Sequence, residues 1–311
     1  MPPLAASMKS TTGRSRSGER RSLPPRAPVN AVHRFALRLG LRILDAAAPG
    51  VAGRLAADLF TRPHRAATPR SPEAPSLPTH RFTLRDGGPD LAVWDWGEGP
   101  TVLLAHGWSG CAAQMSAFVA PLVRAGYFVA ALDLPAHGAS AGTHATVTEM
   151  AEALVRAGRR LGPVHAVIAH SLGGAAAAIA LQRGLRANRA VLLAAPAGMP
   201  PFARRFAAAM GLGPRGSDAM AEEMDRRVGG AESIDLTRLG RAQTSGLLLL
   251  HDPADREVPF AESERIAAAW PGARLRPVPG RGHSRMLKDP EVVRAAVEFV
   301  RDDQAPLSLA G

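Results

Sequence analysis

The chain has 311 residues, 46% of them hydrophobic and 21% charged, which is typical of a folded protein with one large core. Of the formal net charge of +11, residues 1–80 carry +9 (13 Lys and Arg against 4 Asp and Glu) and residues 81–311 only +2 (25 against 23). The main body therefore lacks the concentrated positive charge of a nucleic-acid-binding protein. The one cysteine, Cys111, allows no internal disulfide bond and no cysteine-ligated metal site, so we expect a cytoplasmic location, no metal and no cofactor.

Three segments precede the main body. Residues 1–30 are rich in serine, arginine and proline, so we predict a disordered basic tail. Residues 31–61 have apolar residues at helical spacing, which predicts two short helices separated at Pro49 and Gly50. Five prolines between residues 62 and 80 then predict an extended linker.

The first of these helices has two interpretations. Three arginines recur at every fourth position: Arg34, Arg38 and Arg42. A basic amphipathic helix of this kind can lie on an anionic membrane surface. We favour the second interpretation, in which Phe35, Leu39 and Ile43 pack on the body while the arginines face water, because the segment is short and has no tryptophan. No uninterrupted run of about 18 apolar residues supports a transmembrane helix.

From residue 81 to about residue 303, strands alternate with helices. This order predicts an α/β fold with a mostly parallel, twisted sheet and helices on both faces. The segments RFTLR and LAVWDW predict an opening hairpin, and six later apolar segments predict the other strands. Residues 304–311 are expected to form a tail. Because reactive groups of such sheets lie beyond the carboxyl ends of the strands, the residues that follow each strand are candidates for a site.

The sequence AHSLGG, residues 169–174, lies between a predicted strand and a predicted helix. A sharp turn at such a place lifts a serine hydroxyl clear of the backbone and requires small neighbours. The motif resembles the GxSxG nucleophile elbow of the α/β-hydrolase family, with Ala169 in place of the first glycine. The resemblance implies that Ser171 is a nucleophile; the alternative role for a serine here is a helix N-cap.

The loop HGWSG, residues 106–110, is similar to the oxyanion turn of the same family. The resemblance implies that the backbone N–H groups of Trp108 and Leu172 stabilise a developing oxyanion.

The acid and the base follow from the same resemblance. Asp252 and Asp255 both come after a late strand, and the family pattern of an acid about three residues before Val-Pro fits Asp255, which leaves Asp252 a turn-capping role. The later loop GRGHS is similar to the family's histidine loop and implies that His283 is the base, in the chain order Ser, Asp, His.

Residues 198–241 lie between two predicted strands, where the family places a short helical cap. Four of their apolar side chains are candidates for lining a substrate pocket: Met199, Phe202, Phe206 and Met210. The same spacing is equally consistent with residues that pack the cap helices together.

The function implied by the resemblance is hydrolysis of carboxyl esters, or related acyl substrates, by a serine hydrolase acting on a small molecule. An acyltransferase and a cofactor-free perhydrolase or haloperoxidase use the same three residues and stay as alternatives. A non-catalytic binding protein on the same fold is disfavoured, because such a protein has no need of an intact Ser, Asp and His set. The sequence does not indicate an oligomeric state.

Overall fold

The computed structural model describes residues 31–65, 80–230 and 234–302. The predicted tails at residues 1–30 and 304–311, and most of the predicted linker, lie outside the described residues.

Eight strands form one sheet in the order β1-β2-β4-β3-β5-β6-β7-β8. They are β1 (His80–Leu84), β2 (Leu91–Trp96), β3 (Thr101–Ala105), β4 (Phe128–Leu132), β5 (Val164–His170), β6 (Ala187–Leu193), β7 (Gly246–His251) and β8 (Arg274–Pro277). β2 pairs antiparallel with β1 and β4, and all other neighbouring strands are parallel. The predicted hairpin and the mostly parallel sheet are confirmed.

Ten α-helices occur in the described residues. They are α1 (Ala31–Ala47), α2 (Pro49–Phe60), α3 (Val119–Arg124), α4 (Val147–Leu161), α5 (Leu172–Gln182), α6 (Pro200–Met210), α7 (Pro214–Val228), α8 (Leu236–Leu239), α9 (Phe260–Ala269) and α10 (Pro290–Arg301). A 3-10 helix, Ala112–Phe118, precedes α3. The segment predicted as a cap, residues 198–241, contains α6, α7 and α8.

Helices cover both faces of the sheet, and alternate side chains of each central strand enter two separate cores. In β3, Leu103 and Ala105 join the core formed with α4, α5, α8 and α9. Val102 and Leu104 join the core formed with α3 and α10. All four side chains are fully buried, as expected for a strand covered on both sides.

The order of the strands reverses beside β3, since the chain first adds β4 on one side of β3 and then β5 on the other. In open α/β sheets a ligand crevice forms at such a point, beyond the carboxyl ends of the strands. The loops that follow β3 and β5 therefore flank the expected crevice.

Helix α2 is packed tightly on α7 of the cap. A Cβ atom at Gly53 would lie 2.7 Å from the carbonyl oxygen of Gly216 and from the amide nitrogen of Met220, so glycine is what permits this close approach. Helix α1 is attached to the cap through Asp45, whose carboxylate accepts a 2.7 Å hydrogen bond from the backbone N–H of Gly213.

The favoured interpretation of α1 is confirmed for two of its arginines, since Arg38 and Arg42 are exposed, but it is wrong for the apolar side chains. Phe35, Leu39 and Ile43 do not pack on the body; they are 68%, 47% and 63% exposed. The side chain of α1 that packs against the rest of the protein is instead Leu41, which is 2% exposed. Residues two positions apart on an α-helix point about 200° apart, so the burial of Leu41 turns the stripe that contains Leu39 towards solvent.

Candidate active site

Ser171 lies at the turn between β5 and α5. Its backbone has φ 51° and ψ −125°, a conformation that residues other than glycine rarely adopt. The Ser171 N–H donates to the carbonyl of Leu193 at 2.8 Å, which fixes the turn against β6. A Cβ atom at Gly173 would collide with the carbonyl oxygen of His106, so α5 can begin this close to β3 only with glycine there. The turn holds the serine at the carboxyl edge of the sheet.

The departure from the GxSxG pattern is accommodated within the core. Ala169 is fully buried in β5, where it pairs in register with Ala105 and Leu192 on the neighbouring strands. Its methyl group belongs to the larger of the two sheet cores.

The structure brings Ser171, His283 and Asp255 into one continuous set of hydrogen bonds. His283 Nε2 is 3.0 Å from Ser171 Oγ, and His283 Nδ1 is 2.7 Å from Asp255 Oδ2. The side chain of Asp255 is fully buried and that of His283 is 8% exposed. A carboxylate on one ring nitrogen fixes the tautomer of the imidazole and leaves the other nitrogen to accept the serine proton.

Asp255 is held by four donors. The backbone N–H groups of Glu257 and Val258 donate to Oδ1 at 2.8 and 3.1 Å, and Nε2 of His251 lies 3.3 Å from Oδ2. Burial opposes ionisation of this carboxyl, but the hydrogen bonds from His251 and His283 outweigh it and hold the pKa of Asp255 well below its usual range. The carboxylate is therefore negatively charged across the neutral pH range.

The contact of His251 with Asp255 is not anticipated by the sequence analysis. The His251 side chain is fully buried, and its Nδ1 lies 2.7 Å from Ser263 Oγ on α9. Its only sequence signal is its position at the end of β7, four residues before Asp255.

Asp252 has a different position from Asp255. Its Oδ1 accepts from the backbone N–H of Ala254 at 2.9 Å, as expected for a residue that caps a turn. Its Oδ2 also accepts from the backbone N–H of Gly282, the residue before His283. Asp252 thus ties the histidine loop to the end of β7.

His170 supports the same loop from the other side. Its Nε2 lies 3.0 Å from the carbonyl oxygen of His283, and the two rings are 4.7 Å apart. Burial and the neighbouring His283 lower the pKa of His170 to about 3, so its imidazole is neutral. A neutral ring with Nε2–H can donate to that carbonyl without placing a second positive charge beside His283.

A cavity of about 290 Å³ opens beside Ser171. Trp108 and Leu172, the two residues predicted to supply oxyanion donors, both lie in its wall together with Ser171 and His283. Most other lining residues are apolar: Phe60, Ala145, Val147, Pro196, Met199, Phe202, Met224, Val228 and Val258.

Two of the four pocket candidates line this cavity and two do not. Met199 and Phe202 lie in the wall. Phe206 is turned away and packs on Phe60 of α2, with ring centroids 5.1 Å apart, which is the packing role that the sequence left as an alternative. Met210, at the end of α6, is half-buried and also lies outside the cavity wall.

Several cavity residues were not predicted. Phe60 and Thr61, at the end of α2, form part of the wall. Two charged residues do so as well: Arg205 donates to the backbone carbonyl of Glu257 at 3.3 Å, and the Glu257 carboxylate lies 3.9 Å from His283 Nε2. Within residues 31–65, 80–230 and 234–302, no group of three or more His, Cys, Asp or Glu side chains is arranged to hold a metal ion.

Comparisons with known proteins agree with this architecture. The sequence profile of the Alpha/beta hydrolase family matches residues 102–296. A search of curated protein sequences found no match to the chain.

Solved structures with the same fold include enzymes of several kinds. An esterase of Pyrococcus furiosus superposes with a TM-score of 0.62 at 21% identity, covering 77% of this chain and 97% of that chain. A thermophilic esterase from Thermogutta terrifontis superposes with a TM-score of 0.57 at 23% identity, covering 71% of this chain and 98% of that chain. A bromoperoxidase from Bacillus anthracis superposes with a TM-score of 0.56 at 18% identity, covering 72% of this chain and 100% of that chain. The profile match spans more than half of the chain and contains Ser171, Asp255 and His283, and on this basis the chain belongs to the alpha/beta hydrolase family.

Proposed function

We propose that this protein is a serine hydrolase that cleaves carboxyl esters through an acyl-enzyme on Ser171, with His283 as base and Asp255 as the acid that orients it. The observation that carries the proposal is the unbroken set of hydrogen bonds from Ser171 Oγ through His283 to the buried Asp255, at the wall of an apolar cavity.

The reaction follows from these positions. Ser171 Oγ attacks the ester carbonyl carbon while His283 Nε2 takes the hydroxyl proton, and Asp255 stabilises the imidazolium that results. The carbonyl oxygen becomes an anion, to which the backbone N–H groups of Trp108 and Leu172 donate. His283 then gives its proton to the departing alcohol. Water deprotonated by His283 attacks the acyl-enzyme, which releases the carboxylic acid and restores Ser171.

The cavity favours a substrate with a modest apolar acyl group. Apart from Ser171 and His283, its side chains offer mostly hydrocarbon surface, and the other polar lining residues are Thr61, Thr146, Arg205 and Glu257. Its volume of about 290 Å³ lies at the lower end of the range for small-molecule sites.

A fluorophosphonate probe tests the proposal directly, because it reacts only with an activated serine. The full chain should be labelled, and mass spectrometry of the digested adduct should place the modification on Ser171. Prior incubation with a slowly turning-over aryl ester should protect the site. A protein that stays unlabelled, or that carries the label on another serine, would contradict the assignment.

The two aspartates give a sharper test of the roles. Asp255→Asn should lower kcat by about a thousand-fold to ten-thousand-fold with little change in KM, because the amide no longer favours the correct imidazole tautomer. Asp252→Asn should reduce kcat far less but lower the melting temperature. An asparagine there would turn an NH2 group towards one of two backbone donors, those of Ala254 and Gly282. Kinetics and thermal melts of both variants check this, and the reverse pattern would make Asp252 the acid.

A further inference from the structure

The large apolar side chains that are exposed in the described residues are confined to the first two helices. They are Phe35, Leu37, Leu39 and Ile43 on α1, and Val51 and Leu55 on α2. Apolar residues scattered singly over a surface are ordinary, but a cluster on two consecutive helices marks an interaction site. Phe35, Leu39 and Ile43 recur at every fourth position of α1, and Val51 and Leu55 are four positions apart on α2, so each set shares one side of its helix. We call these two stripes together the α1–α2 face.

This face has a basic border. Arg38, Arg42 and Arg54 are exposed, and none of them forms an ion pair with a described residue. The two acids of these helices are already engaged: Asp45 accepts from the Gly213 N–H, and Asp58 contacts Arg62 and His144. Both acids keep their negative charge, but neither is exposed, whereas all three arginines are. The α1–α2 face therefore combines apolar side chains with three exposed arginines and no exposed acid on either helix.

We propose that the α1–α2 face lies on the surface of an anionic phospholipid bilayer. Phe35, Leu39 and Ile43 would enter the boundary between headgroups and acyl chains, while the flanking arginines would meet lipid phosphates. The helices would lie along the membrane, since none in the described part of the chain is both long and apolar enough to cross it. This docking does not depend on the hydrolase chemistry.

Charge argues against two other occupants of the face. A two-fold contact with a second copy would bring the same surface together with itself, and the arginines of both copies would meet without acids to pair with. Residues 1–30 contain six Lys and Arg and one Glu, so this segment has the same sign of charge as the face it would have to cover. An anionic bilayer satisfies both the apolar side chains and the arginines.

Helix α2 belongs to both the α1–α2 face and the cavity wall, so a membrane bound to the face would lie against a helix of the candidate active site. Helix α2 carries Val51 and Leu55 on its outer side and ends at Phe60, which lies with Thr61 in the cavity wall. Its inner side is fixed to α7 at Gly53.

Flotation of the full chain with lipid vesicles tests the proposal. The protein should float with vesicles of phosphatidylcholine mixed with phosphatidylglycerol and much less with pure phosphatidylcholine. The double variant Phe35→Asn/Ile43→Asn should partition about a hundred-fold more weakly, since two large apolar groups no longer insert. Arg38→Gln/Arg42→Gln should partition about twenty-fold to thirty-fold more weakly on the anionic vesicles, at about five-fold for each arginine.

A matched control separates a local surface from a general effect of charge. Arg159 and Arg160 are exposed in the last turn of α4, outside the face, and Arg159→Gln/Arg160→Gln removes the same two charges. This variant should float like the wild type. All variants should retain the melting temperature, because the substituted side chains are exposed, and the turnover of a soluble aryl ester, because none of them lines the cavity.

Three results would overturn the proposal. The first is a wild-type chain that does not float with anionic vesicles. The second is a Phe35→Asn/Ile43→Asn variant that floats as well as the wild type, or a control that loses as much binding as Arg38→Gln/Arg42→Gln. The third is sedimentation velocity that finds a wild-type dimer and a monomeric Phe35→Asn/Ile43→Asn variant, which would make a second copy the occupant.

Discussion

Ser171→Ala is expected to lower kcat for a soluble aryl ester by about a million-fold while the protein stays folded. Without Oγ no acyl-enzyme can form, and His283 and Asp255 lose the group on which they act. The remaining rate would come from the oxyanion donors and from binding alone, about a thousand-fold above the reaction in water. Steady-state kinetics, with a thermal melt to verify folding, measure the effect.

Ser284 provides the matched control, since it directly follows His283 but its side chain is exposed. Ser284→Ala removes the same hydroxyl from a serine in the same loop and should leave kcat within a few-fold of the wild type. Hydrolysis that survives Ser171→Ala, or that is lost with Ser284→Ala, would move the nucleophile elsewhere.

The sequence predicts the sheet and the position of the serine turn because both depend on local patterns. Apolar segments bounded by turns locate the strands, and the small residues after β5 locate the sharp turn at Ser171. The closeness of Ser171, Asp255 and His283 follows from one further rule, that the carboxyl ends of parallel strands share an edge of the sheet.

The sequence does not predict which side of α1 is buried. Periodicity shows that Phe35, Leu39 and Ile43 share a stripe, but a second apolar position, Leu41, lies nearly opposite them. Contact with the cap determines which of these two sides of α1 is buried, because the hydrogen bond from Gly213 to Asp45 turns the side that carries Leu41 inward. That contact joins residues 168 positions apart, and no local pattern contains it.

The supporting histidines are hidden for a similar reason. His251 and His170 have ordinary places at the ends of strands, and their roles come from contacts with Asp255 and with the carbonyl of His283. The cavity wall also includes Phe60, which lies on a helix that precedes the sheet in the chain. The spacing of apolar residues within the cap does not reveal this contribution, nor that Phe206 packs on Phe60 instead of lining the cavity.

Three buried histidines near the site are neutral in the folded protein. Burial and the neighbouring His137 lower the pKa of His106 to about 3, and burial lowers those of His137 and His170 to about 4 and about 3. His106 Nε2 accepts from the Leu134 N–H at 3.0 Å, and a proton there would break that hydrogen bond. In the described residues, His137 Nε2 and His170 Nδ1 are buried without a hydrogen-bond partner, so a proton on either would be an unpaired buried charge.

Acid is therefore expected to destabilise the protein as the pH falls below about 6.5, before most of its carboxylates titrate. The unfolded chain binds protons at these histidines near their ordinary pKa of 6.5, whereas the folded chain does not until about 3 to 4. Their contribution is complete above the unfolded value and is lost as the pH falls below it. Each imidazole should cost about 2 kcal/mol between about pH 7 and pH 5, or about 5 to 6 kcal/mol together. This loss is comparable with the whole stability of many domains, so we expect unfolding below about pH 5.

Urea denaturation at a series of pH values tests this expectation, and His106→Gln identifies the cause. Glutamine keeps a donor and an acceptor for Gly107 and Leu134 but does not titrate, so the variant is expected to be less stable at neutral pH yet to lose stability less steeply in acid. The difference in slope should be about 1.4 kcal/mol per pH unit, the value for one proton. Equal slopes for the two proteins would exclude His106 as a source of the acid sensitivity. A wild-type stability that stays constant down to about pH 5 would mean that the unfolded chain takes up no extra protons, which would exclude all three histidines.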